Sequence, residues 1–128
     1  MPIGGAYSID KAYRVLNGYP WYKDEQPSDE IKEHIKKVLE NNGNKIDVIL
    51  SHTCPYKYMP FEAFLDGVDE VEVDKTTELF LDEIEDTTDY QRWYCGHFHI
   101  DKDIDKMEFM MHRIDPFMEK EKKLVKTR

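Results

Sequence analysis

Two short apolar runs each break off at a histidine, and this pairing constrains the fold of the chain more than any other feature. Ile46-Asp47-Val48-Ile49-Leu50 leads straight into Ser51-His52-Thr53-Cys54-Pro55, and the aromatic run over residues 91–96 leads through Gly96 into His97-Phe98-His99-Ile100. Runs of this length, bounded by proline or glycine, predict buried strands. Pro55 stops the first from continuing, and Gly96 frees the backbone at the end of the second. Residues i and i+2 of an extended segment share a side, so His97 and His99 are predicted to face one site. In open α/β sheets ligands gather outside the carboxyl ends of the strands, where all three histidines fall. Neutral imidazole is a preferred ligand of first-row transition metals, so His52, His97 and His99 are candidate metal ligands. The plainer alternative is histidines on half-exposed strands with no chemical task.

The rest of the chain supplies the partners of those strands. Ser28 is a suitable N-cap, Asp29 and Glu30 complement the helix dipole, and Ile31, Ile35, Val38 and Leu39 follow at helical spacing until Asn42-Gly43 closes the helix. His34 falls on the surface of that helix. A second helix is predicted from Asp74, with Thr76, Leu79, Phe80 and Ile84 inward and Glu78, Asp82, Glu83, Glu85 and Asp86 outward. Asp101 to Lys106 reads as a charged turn. Residues 107–113 read as a strand in which Met107, Phe109 and Met111 alternate against Glu108, Met110 and His112. Upstream, Gly4-Gly5 follows a short strand at a close backbone approach or an unusual φ, and Lys11 to Leu16 suits one or two helical turns. The loop over 17–27 holds Trp21 and Tyr22, which either shape a pocket or cover an apolar edge. Phe61, Phe64 and Leu65 suggest a short helix ended by Gly67. The order β, α, β, α, β, β predicts an α/β fold. Its domain spans 1–115, and a charged, flexible tail follows over 116–128.

At 128 residues the chain is one domain by length. Its 27 acidic against 18 basic residues, a formal charge of −9, argue against nucleic-acid binding through phosphate neutralisation. An anionic phosphate substrate would need a cation in the site. Cys54 and Cys95 form no Cys-x-x-Cys pattern and read as small buried residues beside the strand ends. Neither a signal-peptide pattern nor a membrane-spanning apolar run is apparent, so a reduced, cytoplasmic protein without a membrane partner is expected.

Val48-Ile49-Leu50-Ser51-His52 together with Gly96-His97-Phe98-His99 resembles the C-terminal half of the calcineurin-like metallophosphoesterases. The opening Ile3-Gly4-Gly5-Ala6-Tyr7-Ser8-Ile9-Asp10-Lys11 is similar to the segment that follows the asparagine-histidine motif in one bacterial branch of that family. The resemblance covers roughly residues 3–114 and implies half of an αββα sandwich with a mixed β-sheet. It also implies a phosphatase or phosphodiesterase in which two divalent cations (manganese, iron or zinc) activate a hydroxide that attacks phosphorus. Carried over, His52 and His97 bind one metal and His99 the other. Asp101, Asp103 or water is available to complete the shell of a single metal. Arg14 is either a clamp on a phosphate oxygen or an ordinary surface arginine. The family's Asp-x-His, Gly-Asp and Gly-Asn-His motifs do not occur here. The resemblance therefore implies a fragment of a complete phosphoesterase, from a split gene or a partial reading frame, that is inactive alone. It implies that the N-terminal half is supplied by the rest of the frame or by an N-terminal half polypeptide, the substrate being a phosphoester of unspecified class. A non-catalytic metal-binding or interaction module derived from that fold is the alternative.

Overall fold

A computed structural model describes residues 1–63 and 73–114. It contains β1 (Pro2–Ile3), α1 (Lys11–Leu16), α2 (Asp29–Asn41), β2 (Lys45–Ser51), short 3-10 turns at Tyr56–Tyr58 and Phe61–Ala63, α3 (Thr76–Thr87), β3 (Asp89–Cys95), β4 (Lys102–Ile104) and β5 (Met107–Phe109). The expectations for Phe64, Leu65 and Gly67, and for a flexible tail over 116–128, lie outside the described residues.

The five strands form one mixed sheet in the order β1-β2-β3-β5-β4. β1, β2, β3 and β5 run parallel, and β4 closes the far edge antiparallel to β5. β1, β2 and β3 advance across the sheet in one direction. Right-handed crossovers then bring α2 and α3 onto the same face. The buried residues obey this rule: Ile35 and Leu39 of α2 and Phe80, Leu81 and Ile84 of α3 share one cluster with Ile3, Ile49, Trp93, Met107 and Phe109 of the strands. The alternate positions Val48, Leu50, Arg92 and Tyr94 lie outside it, half-buried or exposed. The α/β class and the mixed sheet are therefore as expected.

Local chemistry explains the element ends. The Ser28 hydroxyl accepts the Ile31 N–H at 3.2 Å and caps α2. Gly43, at φ 67°, donates to the Glu40 carbonyl and ends it. Gly5 has φ 99°, and a Cβ there would meet the Glu25 carbonyl oxygen at 2.5 Å, which accounts for glycine after β1.

Three expectations need correction. Residues 102–104 are strand rather than turn. The reversal is confined to Asp105 and Lys106, with Asp105 at φ 53°, a two-residue hairpin loop between Ile104 and Met107. β5 stops at Phe109 because the Asp101 carboxylate accepts the N–H groups of Met111 and His112, at 2.7 and 3.2 Å, and draws the chain off the sheet. Met107, Glu108 and Phe109 are all buried, so the anticipated alternation does not develop. The inner face of α3 is also rotated: Leu79 is 53% exposed, while Thr77, Glu78 and Leu81 are buried.

Candidate functional site

β1, β2 and β3 end side by side, so parallel pairing gathers the segments beyond their carboxyl ends at one rim of the sheet. Ser51 is in register with Cys95, and Ile3 with Ser51. His52 and Gly96-His97 therefore leave the sheet together, and the Gly96 N–H donates to the His52 carbonyl at 2.9 Å. A Cβ on Gly96 would lie 3.6 Å from the Met110 carbonyl and 3.9 Å from that of His52, which is ordinary contact. Glycine here is not demanded by crowding.

Beyond Gly96 the chain turns sharply. The Phe98 N–H donates to the Gly96 carbonyl at 2.8 Å around His97, whose φ is 71°. An i to i+2 bond with positive φ at its centre is the rare, strained form of γ-turn. His99, at φ 56°, is left-handed as well. Two non-glycine residues in this region within three positions store backbone strain of the kind that clusters at functional sites. The same geometry removes the premise of the period-two argument. Residues 97 and 99 are not extended, so their sharing a side does not follow from strand alternation.

The turn swings the His97 ring against that of His52. His52 Nε2 and His97 Nδ1 are 2.9 Å apart, with ring centroids at 4.8 Å and planes inclined at 69°. One nitrogen carries the hydrogen and the other accepts it. Behind this pair the ring of Phe98 stands edge-on to His97, 5.0 Å away, and to the buried Phe109, 6.0 Å away, linking the turn to the core. Half-burial of His97, followed by the charges of His52 and His99, pushes its pKa down to about 4. His52 keeps an exposed edge. Its partial removal from water, then the charge of His99, still holds its pKa below the usual imidazole value. Both rings are thus neutral at neutral pH, the protonation state a metal requires.

The anchoring of His52 was not anticipated from the sequence. Trp93, fully buried, donates its indole N–H to Ser51 Oγ at 2.7 Å, and the Ser51 hydroxyl donates to the Thr53 carbonyl. Thr53 and Cys54 are fully buried and Cys95 nearly so, and burial pushes both thiols well above their ordinary range. The two cysteines are inert packing residues at the strand ends.

The remaining candidates lie apart from the pair. His99 is exposed, near enough for its charge to act on both other rings. Arg14 pairs with Asp10 at 2.8 Å and donates to the Pro20 carbonyl at 3.4 Å, and no hydrogen bond or ion pair joins it to the histidines. The Asp101 carboxylate holds the Met111 and His112 N–H groups, and Asp103 pairs with Arg113; neither is hydrogen-bonded to or ion-paired with His52, His97 or His99. His34 is an exposed helix residue, and His112 faces Asp101 at 3.7 Å.

Nitrogen ligands about 2.05 Å from a cation stand about 2.9 Å apart at a right angle and about 3.3 Å apart at a tetrahedral angle. The spacing of His52 Nε2 and His97 Nδ1 equals that of two adjacent corners of a coordination shell, but their hydrogen bond aims each nitrogen at the other ring, so a shared cation would require the rings to turn. Among the described residues no group of three or more His, Cys, Asp or Glu side chains is arranged to hold a metal ion. Nor is any helix among them long and apolar enough to cross a membrane. No protein family, no curated protein and no solved structure matches the chain.

Proposed function

We propose that this chain supplies the histidine side of a metal-dependent phosphoester hydrolase of the calcineurin-like type, within half of an αββα sandwich. The observation that carries the reading is the 2.9 Å approach of His52 Nε2 to His97 Nδ1 at the carboxyl ends of adjacent parallel strands. Two neutral imidazoles brought together beside a strained turn at the strand ends support reading them as a ligand pair. His52 and His97 bind one divalent cation (manganese, iron or zinc), and His99, exposed beside them, turns toward a second. Such cations supply Lewis-acid polarisation of a phosphoester oxygen and a lowered pKa of bound water. The chain's own residues hold the two rings neutral and fix their spacing, and the hydrogen that the pair shares must leave the ligand nitrogen before both can bind a cation. The carboxylate, asparagine and leaving-group motifs of the family do not occur in these residues, so the reading requires that they come from outside them, whether from the same reading frame or from an N-terminal half polypeptide. Arg14, committed to Asp10, takes up a phosphate only if that pair opens.

The absence of a ready-made third ligand among the described residues favours a second reading, a non-catalytic metal-binding or interaction module. Manganese-dependent hydrolysis of a chromogenic phosphoester separates the two. The chain alone is expected to be inactive, and addition of a polypeptide carrying the Asp-x-His, Gly-Asp and Gly-Asn-His motifs is expected to restore turnover that His97→Ala abolishes. Turnover unaffected by His97→Ala would overturn the ligand assignment. Metal binding without turnover in the completed assembly would leave the module reading standing.

A further inference from the structure

We infer that Ser51 is a positioning residue for His52, acting through a hydroxyl bridge from the core to the peptide on the far side of the histidine; this rests on reading His52 and His97 as ligands. The polarity of the bridge follows from the groups present. An indole nitrogen is a donor only, so Ser51 Oγ accepts from Trp93, at 2.7 Å, and its single hydrogen remains for the Thr53 carbonyl. Trp93 is fully buried, so the fixed end of the bridge lies in the core. Thr53 is fully buried too, and His52 is the exposed residue spanned between Ser51 and Thr53. A third tie, from the Gly96 N–H to the His52 carbonyl at 2.9 Å, joins the same segment to the turn that carries His97.

The His52 ring meets His97 through Nε2, the nitrogen farthest from its backbone, so a small rotation of the 51–53 segment becomes a large displacement at that atom. Ligand sets need placement within about 0.5 Å, and that precision comes from supporting hydrogen bonds one step behind the ligands. Without the hydroxyl, the His52 segment keeps its tie to Gly96, the strand pairing of Ser51 and the burial of Thr53, but loses both hydrogen bonds of the bridge that set its orientation.

The test compares Ser51→Thr and Ser51→Val, which match in shape and differ in the hydroxyl. Cobalt(II) affinity is measured by calorimetry well below each melting temperature, so that only folded protein is compared. Ser51→Thr is expected to bind within about threefold of wild type, and Ser51→Val about 10-fold to 100-fold more weakly. Equal affinity of the two variants would overturn the inference. In metal-free protein, the tautomer-reporting ring-carbon shifts of His52 are expected to stay at wild-type values in Ser51→Thr and to move in Ser51→Val. If wild type binds no cobalt, the ligand reading of His52 and His97 fails. The role of Ser51 is then decided by those shifts, and unchanged shifts in Ser51→Val reject it. Should Ser51→Val not fold, Ser51→Ala is read in both assays by the same criteria.

Discussion

At the scale of single residues, the cost of the site is concentrated in two backbone conformations. A left-handed φ brings Cβ close to the following carbonyl and costs an L-residue about 1–2 kcal/mol. His97 recovers part of that through its contact with His52 and the edge-on packing of Phe98. His99 is exposed and makes no such contact among the described residues, so its strain can be measured in isolation. Both His99→Gly and His99→Ala delete the imidazole, but only glycine accepts φ 56° without penalty. Urea denaturation is expected to place the glycine variant about 1 kcal/mol above the alanine variant. Equal stabilities would mean that the segment relaxes and holds no strain. Little of this strain is legible in the motif itself. Ser-His and Gly-His-x-His mark the positions of the three rings, because strand ends are legible wherever an apolar run meets glycine or proline. The γ-turn at His97 is closed by the bond from the Phe98 N–H to the Gly96 carbonyl, and no residue pattern announces it. Ser51 stands in plain view beside His52, but its role depends on Trp93, 42 residues away.

At the scale of elements, legibility follows burial. β2 and β3 lie in the middle of the sheet and read as apolar runs, and α2 displays its cap, its apolar stripe and its closing Asn-Gly. β4 is a three-residue edge strand, Lys102-Asp103-Ile104, whose charged composition is also that of a turn. α3 is the subtler case: its apolar stripe is legible, but its rotation is not. Thr77, Phe80, Leu81 and Ile84 form the buried side, and Glu78 enters with them at 4% exposure while Leu79 faces water. Burial raises the Glu78 pKa above its ordinary value, and the Asp74 carboxylate pushes it the same way. The consequence for stability has a definite sign. The folded state holds the Glu78 proton to higher pH than the unfolded chain does, so its contribution is fully present below the unfolded pKa. It is lost as pH rises through the folded value. Other acids oppose this trend, since Asp74 and Asp101 accept hydrogen bonds that hold their carboxyls below the ordinary value. The difference between two proteins isolates the residue. Glu78→Gln is expected to gain melting temperature relative to wild type as pH is raised from about 4 to about 7. A gap between the two melting curves that does not change with pH would show that Glu78 is not held protonated by its surroundings.

At the scale of the whole molecule, the histidine pair is a clasp between two strands whose sequences are separated by all of α3. A cation held by His52 and His97 would bind the folded chain and not the unfolded one, so metal and folding are linked. Binding at a hundred times the dissociation constant stabilises the folded state by about 2.7 kcal/mol. For a chain of this length that amounts to a rise in melting temperature of roughly 10 °C or more. The size of the effect depends on protons as well, because only neutral imidazole is a ligand. His97 has its pKa at about 4 and His52 lies below the usual imidazole value, so protons compete poorly at the pair until pH falls well below 6.5. An ordinary surface histidine loses its ligand form at that point. In the absence of metal the sign is equally fixed. A group whose folded pKa is depressed adds stability that is present above its unfolded pKa and drains away as pH falls toward the folded value, so the metal-free chain should weaken between about pH 6.5 and about pH 4. Melting curves with cobalt(II) or manganese(II) are therefore expected to rise at neutral pH, to keep most of that rise at about pH 6, and to lose it in His97→Ala at every pH. A rise that survives in His97→Ala would trace the metal to the acidic surface of a chain with formal charge −9, where any divalent cation relieves repulsion without coordination by imidazole.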